Sequence, residues 1–346
     1  MHPTIKDVAK RANLSVSTVS RAINRSGYVS NETQQLVDSV VAELDYQPNW
    51  MAQGLAGNRS RLIGLVIPDI FNPHYTSIAR SLFGILQQQQ YGVILCLNNE
   101  SRETDLGYLR VFREKHVDGI IYVHPANGSN SAFVRQLASE GMPIVELNRQ
   151  RESDILDAVL ADDFHGSYEM TKYLLGKGHR RIGLVIGEAE ISTGKDRIAG
   201  YRRALKDTKI SIDADLIRVG SFTREHGERG TNELLMLNEP PTAIFAGSNR
   251  ILMGVLDVLV RQRGLSIPGD VSVVAFNDAE WLSVWNPAIT VVDIAAEEMA
   301  RLTVEVLLGR IRSPERKRKP VTYHLSTFLI ERGSCKDMSS SKPEND

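Results

Sequence analysis

The chain has 346 residues, 42% of them hydrophobic, so it exceeds one typical domain and can bury sizeable cores. Its net charge of -1 leaves any affinity for nucleic acid to a local patch rather than to bulk charge. Two isolated cysteines without CxxC spacing, no apolar run near the length of a membrane span and no secretion signal exclude a disulfide scaffold and a membrane protein, and they predict a cytoplasmic chain without a metal or other cofactor.

Thr4 to Asn24 spells two short helices joined by a tight turn. Thr4 followed by Asp7 reads as a capping box, and Ile5, Val8, Ala9 and Ala12 fall on one helical face. Asn13 sits where the chain must reverse and tolerates a left-handed backbone; Ser15 can cap the second helix. In that helix the spacing puts Val16, Val19 and Ile23 on one side and Ser17, Ser20 and Arg21 on the other. An ordinary helical hairpin with a solvated polar side has the same periodicity. Against it stand the small Ala9, the short turn, and an exposed face of hydroxyls and arginine suited to base edges in a major groove. Residues 1–30 carry Lys6, Lys10, Arg11, Arg21 and Arg25 against Asp7 alone, which favours phosphates.

A third helix is predicted from about Asn31 to Leu44, burying Leu36, Val37, Val40, Val41 and Leu44, and Pro48 ends it. The segment Asn49 to Gly57 is short, moderately apolar and broken by Gly54, so a helix there would be marginal alone and would fold on demand. From Arg61 the texture changes to apolar strands alternating with amphipathic helices. Strands are predicted at 62–67, 93–97, 119–123 and 143–147, then at 182–186, 216–219, 242–246 and 271–276, implying two doubly wound parallel-sheet subdomains of the α/β class. Residues 291–293 and the final VTYHLSTFLI are too few strands for a third sheet and return to the existing two. The basic run Arg316 to Lys319 reads as a solvated loop, and the tail from 334 to 346 as disordered.

TIKDVAKRANLSVSTVSRAIN, LDYQPN and AQGLAGNRSRLIGLV together resemble the lactose/galactose-repressor (LacI/GalR) family of bacterial transcription regulators, over about Thr4 to Gly333. The resemblance implies a helix-turn-helix head at 1–47, a hinge at 48–60 and a periplasmic-binding-protein-like body at 61–333. Its subdomains would be 61–160 with 291–319, and 161–290 with 320–333. It also implies a homodimer on a palindromic operator. Thr4, Val16, Ser17, Thr18, Ser20, Arg21 and Asn24 would meet DNA, Val16, Ser17 and Arg21 reading bases, while Asn49, Ala52 and Leu55 would form a hinge helix whose leucine wedges the minor groove. Gln53 stands where relatives often have Arg.

Clefts between α/β subdomains collect ligands at strand ends. Those ends carry Asn72, His74, Tyr75, Asn148, Arg149, Arg197, Phe222, Ser248, Asn249, Asn277 and Asp278. By resemblance Arg197 grips an effector and Phe222 stacks on it. The family's usual aspartates are replaced at Asn148, Asn249 and Asn277, which would leave Arg197 and Arg149 under-neutralised and favour a sugar acid or phosphorylated sugar over a neutral sugar. The alternative is that Asn serves the same neutral sugar, with Asp278 restoring a carboxylate. No P-loop, HExxH, GxSxG or GxGxxG after a strand is present, and His74, His165 and His179 are scattered. A ligand-controlled DNA-binding repressor is therefore expected, with a solute-binding protein of similar body as the competing class and an enzyme as the third.

Overall fold

The computed structural model describes residues 3–25, 27–46, 60–152, 155–313 and 319–339. The chain divides into two compact units, Met1–Arg61 and Leu62–Asp346. The first holds α1 (Ile5–Ala12), α2 (Val16–Asn24) and α3 (Asn31–Glu43). Its core is Val8, Ala9, Ala12, Val19, Ala22, Val37, Val40 and Tyr46. One predicted core position is corrected here, since Leu36 is 44% exposed beside buried Val37. Val16, grouped by spacing with Val19 and Ile23, is 43% exposed, because the buried face of α2 runs through Val19 and Ala22 with Ile23 partly buried. The hinge residues Asn49, Ala52 and Leu55 lie outside the described residues.

The second unit contains two six-stranded sheets. The first has the order β11-β5-β4-β3-β1-β2, from β1 (Leu62–Ile67), β2 (Gly92–Leu97), β3 (Gly119–Tyr122), β4 (Ile144–Leu147), β5 (Asp157–Ala161) and β11 (Thr322–Leu325). All its pairings are parallel. The two-residue strand period sends Ile63, Leu65 and Ile67 against α4 (Pro73–Gln88) and α12 (Ala296–Arg312), and Val66 against Leu109 and Phe112 of α5 (Arg102–Glu114). Apolar residues on both faces need a helical layer on each side, which is why the strand sequences are continuously hydrophobic.

The second sheet has the order β12-β10-β9-β8-β6-β7. It is built from β6 (Ile182–Ile186), β7 (Ile217–Val219), β8 (Ala243–Ala246), β9 (Ser272–Phe276), β10 (Thr290–Ile294) and β12 (Thr327–Ile330). Only β12 runs antiparallel, along β10. Around it lie α7 (Asp163–Gly176), α8 (Ser192–Asp207), α9 (Arg224–Leu235) and α10 (Asn249–Leu256).

Three predicted boundaries move. The crossover placed near 290 follows Ile294, since β10 pairs with β9 in the second sheet. The one placed near 320 falls between Leu325 and Thr327, because β11 extends the first sheet beside β5 and one residue then separates it from β12. The tail from 334 is packed as far as Ser339. The Ser334 hydroxyl donates to Val273 O (2.6 Å) and accepts from Thr290 N (2.8 Å), Lys336 N donates to the Ser272 hydroxyl and Met338 N to Lys177 O, so strand-end polar groups are satisfied by the tail.

Candidate DNA-binding face and effector cleft

In the head, Thr4 N and its hydroxyl both donate to the Asp7 carboxylate (2.8 and 2.7 Å), which lowers the Asp7 pKa. Asn13 takes the left-handed conformation at the turn (φ 54°). Ser15 caps α2, its hydroxyl accepting from Thr18 N at 3.1 Å and lying 2.8 Å from the hydroxyls of both Ser17 and Thr18. This fixes the N-terminal turn of α2 while Val16, Ser17 and Arg21 stay exposed and Thr18 and Ser20 half-buried; Asn24 is the helix's last residue. Arg21 makes one long bond, Nε to Ser17 O at 3.4 Å, and no ion pair with a carboxylate is seen for it among the described residues.

In the body, the C-terminal ends of both sheets supply one polar cluster. After β1, Asn72 caps α4 by accepting from His74 N (3.2 Å). His74 Nε2 then donates to Asn148 Oδ1 (3.1 Å), and Asn148 Nδ2 donates to the Tyr75 hydroxyl (3.1 Å). Burial, opposed by the Asn148 bond, pushes the His74 pKa down to about 4, so the ring is neutral and carries its proton on the nitrogen facing the amide oxygen. Asn148 holds φ at 62°, a conformation Asn accepts more readily than most residues.

Both arginines have carboxylate partners that the sequence reading did not pair with them. Arg197 Nε and Nη2 reach Asp163 Oδ1 at 2.8 and 2.7 Å, its Nη1 donates to Gly247 O at 2.6 Å, and its guanidinium lies 3.7 Å over the Phe276 ring. Burial pushes the Asp163 carboxyl up to about 6, opposed by the charge and hydrogen bonds of Arg197. Arg149 Nη1 donates to both oxygens of Glu100 (2.8 and 2.9 Å) and to His124 O (3.1 Å). The Arg149 guanidinium lies 4.7 Å from the Phe222 ring and 5.7 Å from that of Tyr75. Phe222 is pressed onto Gly187, where a Cβ would come within 2.0 Å of its ring. The expected stacking surface is thus already faced by an arginine. Asp278 is no spare carboxylate either, since Arg332 binds both its oxygens (2.8 and 2.6 Å).

A cavity of about 270 Å³ opens between the subdomains, walled by Asn72, Tyr75, Asn99, Glu100, Arg149 and Phe222 with Asp69 and Arg250. His74, Asn148, Arg197, Ser248 and Asn277, predicted for the site, do not line this cavity. Ser248 is spent on capping α10, accepting from Ile251 N at 3.2 Å, and Asn277 takes φ 69° with its N–H on Val292 O at 2.7 Å. Among the described residues Asn249, 1% exposed, has no partner for either amide atom, and Arg149 Nε is likewise buried without one. A larger groove of about 600 Å³ lies where Asp157 and Val321 enter β5 and β11, the end of the sheet opposite to where such folds collect ligands.

Residues 4–49 match the family profile described as bacterial regulatory proteins, lacI family, and residues 60–328 match periplasmic binding proteins and sugar binding domain of LacI family. The chain belongs to the LacI family. It is 35% identical over 300 residues to the HTH-type transcriptional regulator DegA of Bacillus subtilis (strain 168), covering 86% of this chain and 88% of that one. It is 30% identical to the HTH-type transcriptional repressor PurR of Aliivibrio salmonicida (strain LFI1238), covering 93% and 96%. Its fold is that of the lac repressor dimer bound to operator and the anti-inducer ONPF (TM-score 0.84, 24% identity, 97% of this chain and 100% of that one). This LacI-family chain is therefore a helix-turn-helix transcription regulator and not an enzyme.

Sequence reasoning missed Asp163, Glu100, Asp69 and Arg250. The strand-end rule reaches Glu100, three residues past β2, and would have reached Asp163 had residues 157–161 been read as a strand. Asp69 and Arg250 carried no signal beyond lying near strand ends.

Proposed function

We propose that this regulator is a homodimeric repressor acting in the cytoplasm, whose affinity for a palindromic operator is set by a small effector held between the body subdomains. Buried polar atoms without protein partners carry the effector half of this reading: Arg149 Nε and both amide atoms of Asn249 stand unsatisfied at strand ends, an arrangement that native proteins keep where something else completes it. On the DNA side, exposed Val16, Ser17 and Arg21 on a rigidly capped helix suit base readout, with Thr4, Thr18, Ser20 and Asn24 beside them and Asn49, Ala52 and Leu55 as the hinge. The dimer, the operator and the anti-inducer named for the lac repressor structure support the same assembly.

The preference for an anionic effector loses its basis. Glu100 and Asp163 neutralise Arg149 and Arg197, and Glu188, after β6, is bonded by Ser221 and its own backbone but keeps one buried oxygen without a partner among the described residues, with its pKa raised by burial. With two arginines paired and one carboxylate oxygen open, a neutral hydroxyl-rich ligand suits the cleft best: Arg149 Nε and the Asn249 amide can donate, and Glu188 can accept. The family profile's sugar-binding description agrees. Calorimetric titration with glucose, gluconate and glucose 6-phosphate tests the class, and a panel of neutral sugars finds the member. Tighter binding of the acid or the phosphate at pH 7.5 would reverse this assignment. Selection of binding sites from random duplexes tests the DNA half, and an enriched palindrome is the expected result.

A further inference from the structure

Asp69 follows β1 in the first subdomain, and Arg250 lies in the first turn of α10 in the second. Their side chains meet across the cleft, Arg250 Nε to Asp69 Oδ2 at 3.3 Å, and both line the 270 Å³ cavity. The other ion pairs at the cleft, Glu100 with Arg149 and Asp163 with Arg197, each stay within one subdomain. Asp69 is also held in place for the contact, because its Oδ1 accepts from Phe71 N at 2.7 Å and the turn orients the carboxylate. An adjacent residue ties the far partner to the ligand groups: Arg250 directly follows Asn249, whose amide atoms are buried and unpartnered.

We propose that Asp69 and Arg250 are a positioning pair, a clasp that sets the ratio of closed to open cleft and thereby the residence time of the effector. The proposal rests on the effector reading for its second half only, since the clasp acts on closure whether or not the ligand is a sugar. The pair is partly exposed, at 27% and 29% for its two side chains, so its effect is modest: loss of either partner lowers the closed-to-open ratio roughly two- to fivefold, the span of such pairs. A surface pair without consequence would have the same distance but would leave closure unchanged.

The test is native-state hydrogen exchange on the full chain with Asp69→Asn, Arg250→Gln and the double variant, reading the amides of residues 98–100 and 222–226, which contain neither substitution. The clasp predicts that both segments exchange faster by the same two- to fivefold factor, roughly, in each single variant, and no faster in the double, because either substitution already removes the bond. Unchanged exchange, or additive effects in the double variant, overturns it. So does a rise spread evenly over the whole body, which would mark general destabilisation. Glucose is then the probe for the second half: dissociation should quicken by the same factor in both single variants. If glucose fails to bind the parent chain, the neutral-sugar reading fails for that probe while the exchange result still decides the clasp.

Discussion

The proposed DNA-binding face and the proposed effector cleft both offer polar side chains to a partner, yet they hold them in opposite ways. On α2 the side chains offered, Ser17 and Arg21, are exposed and lightly bonded, and the rigidity comes from the Ser15 cap and the apolar side of the helix. In the cleft Arg197, Asn148 and His74 are buried, and each is bonded to another polar group. Exposed groups can be replaced without disturbing the fold, whereas each buried group is also part of what keeps its subdomain together. Function and stability are thus separable in the head and joined in the cleft.

The sharpest way to break that contrast is Arg197→Gln. It leaves Asp163 buried without its charge partner and removes the cation from the Phe276 ring, so the body should lose about 3–5 kcal/mol in denaturant unfolding. A loss below about 1 kcal/mol would mean that Asp163 takes a proton instead, and that Arg197 serves the ligand and not the fold.

The next effect is carried by pH. The His74 pKa is near 4 when folded and about 6.5 when unfolded, so the folded state binds fewer protons between those values. Its contribution is present above pH 6.5 and is lost as pH falls towards 4, about 3 kcal/mol in all. Urea midpoints measured from pH 7 to 4 should show this limb in the parent chain and a flatter one in His74→Gln.

The same contrast explains what the sequence could tell. Head function is coded locally: cap, turn and helix face lie within the 21 residues from Thr4 to Asn24, and of the head's predicted core positions only Leu36 was assigned to the wrong side. The sheets were legible because strands buried on both faces are unbroken apolar runs. Residues 157–161 escaped because Asp157 opens that strand, where Arg310 and Val321 N bind its carboxylate, and an acidic start does not read as a buried strand. That one omission hid Asp163, and with it the neutralisation of Arg197. Cleft charge depends on pairs such as Glu100 with Arg149, 49 residues apart, which no local pattern encodes.

On the DNA side the expected effect is smaller and of a different kind. Arg21→Ala should cost roughly 1–3 kcal/mol of operator affinity at one base pair per half-site, with specificity relaxed there and unfolding of the head unchanged. Equal weakening on every sequence would make Arg21 a phosphate contact.

Ser15→Ala tests whether rigidity and readout are separable within the head itself. The Ser15 hydroxyl satisfies the Thr18 N–H and sits 2.8 Å from the hydroxyls of Ser17 and Thr18. Its removal strips one cap from α2, a loss of about 1 kcal/mol in head stability. It also frees the Ser17 and Thr18 hydroxyls to turn outward. If the cap only holds the helix, affinity for the operator falls slightly, the order of preferred bases is unchanged, and the loss is recovered by Ser15→Asp, since Asp caps equally well. If Ser15 instead aims Ser17 at a base, the preferred base at one position changes in both variants, because neither restores the hydroxyl pair. Binding-site selection on the three proteins separates these outcomes, and a changed base preference with full helix stability in Ser15→Asp would show that the head, like the cleft, joins its function to its packing.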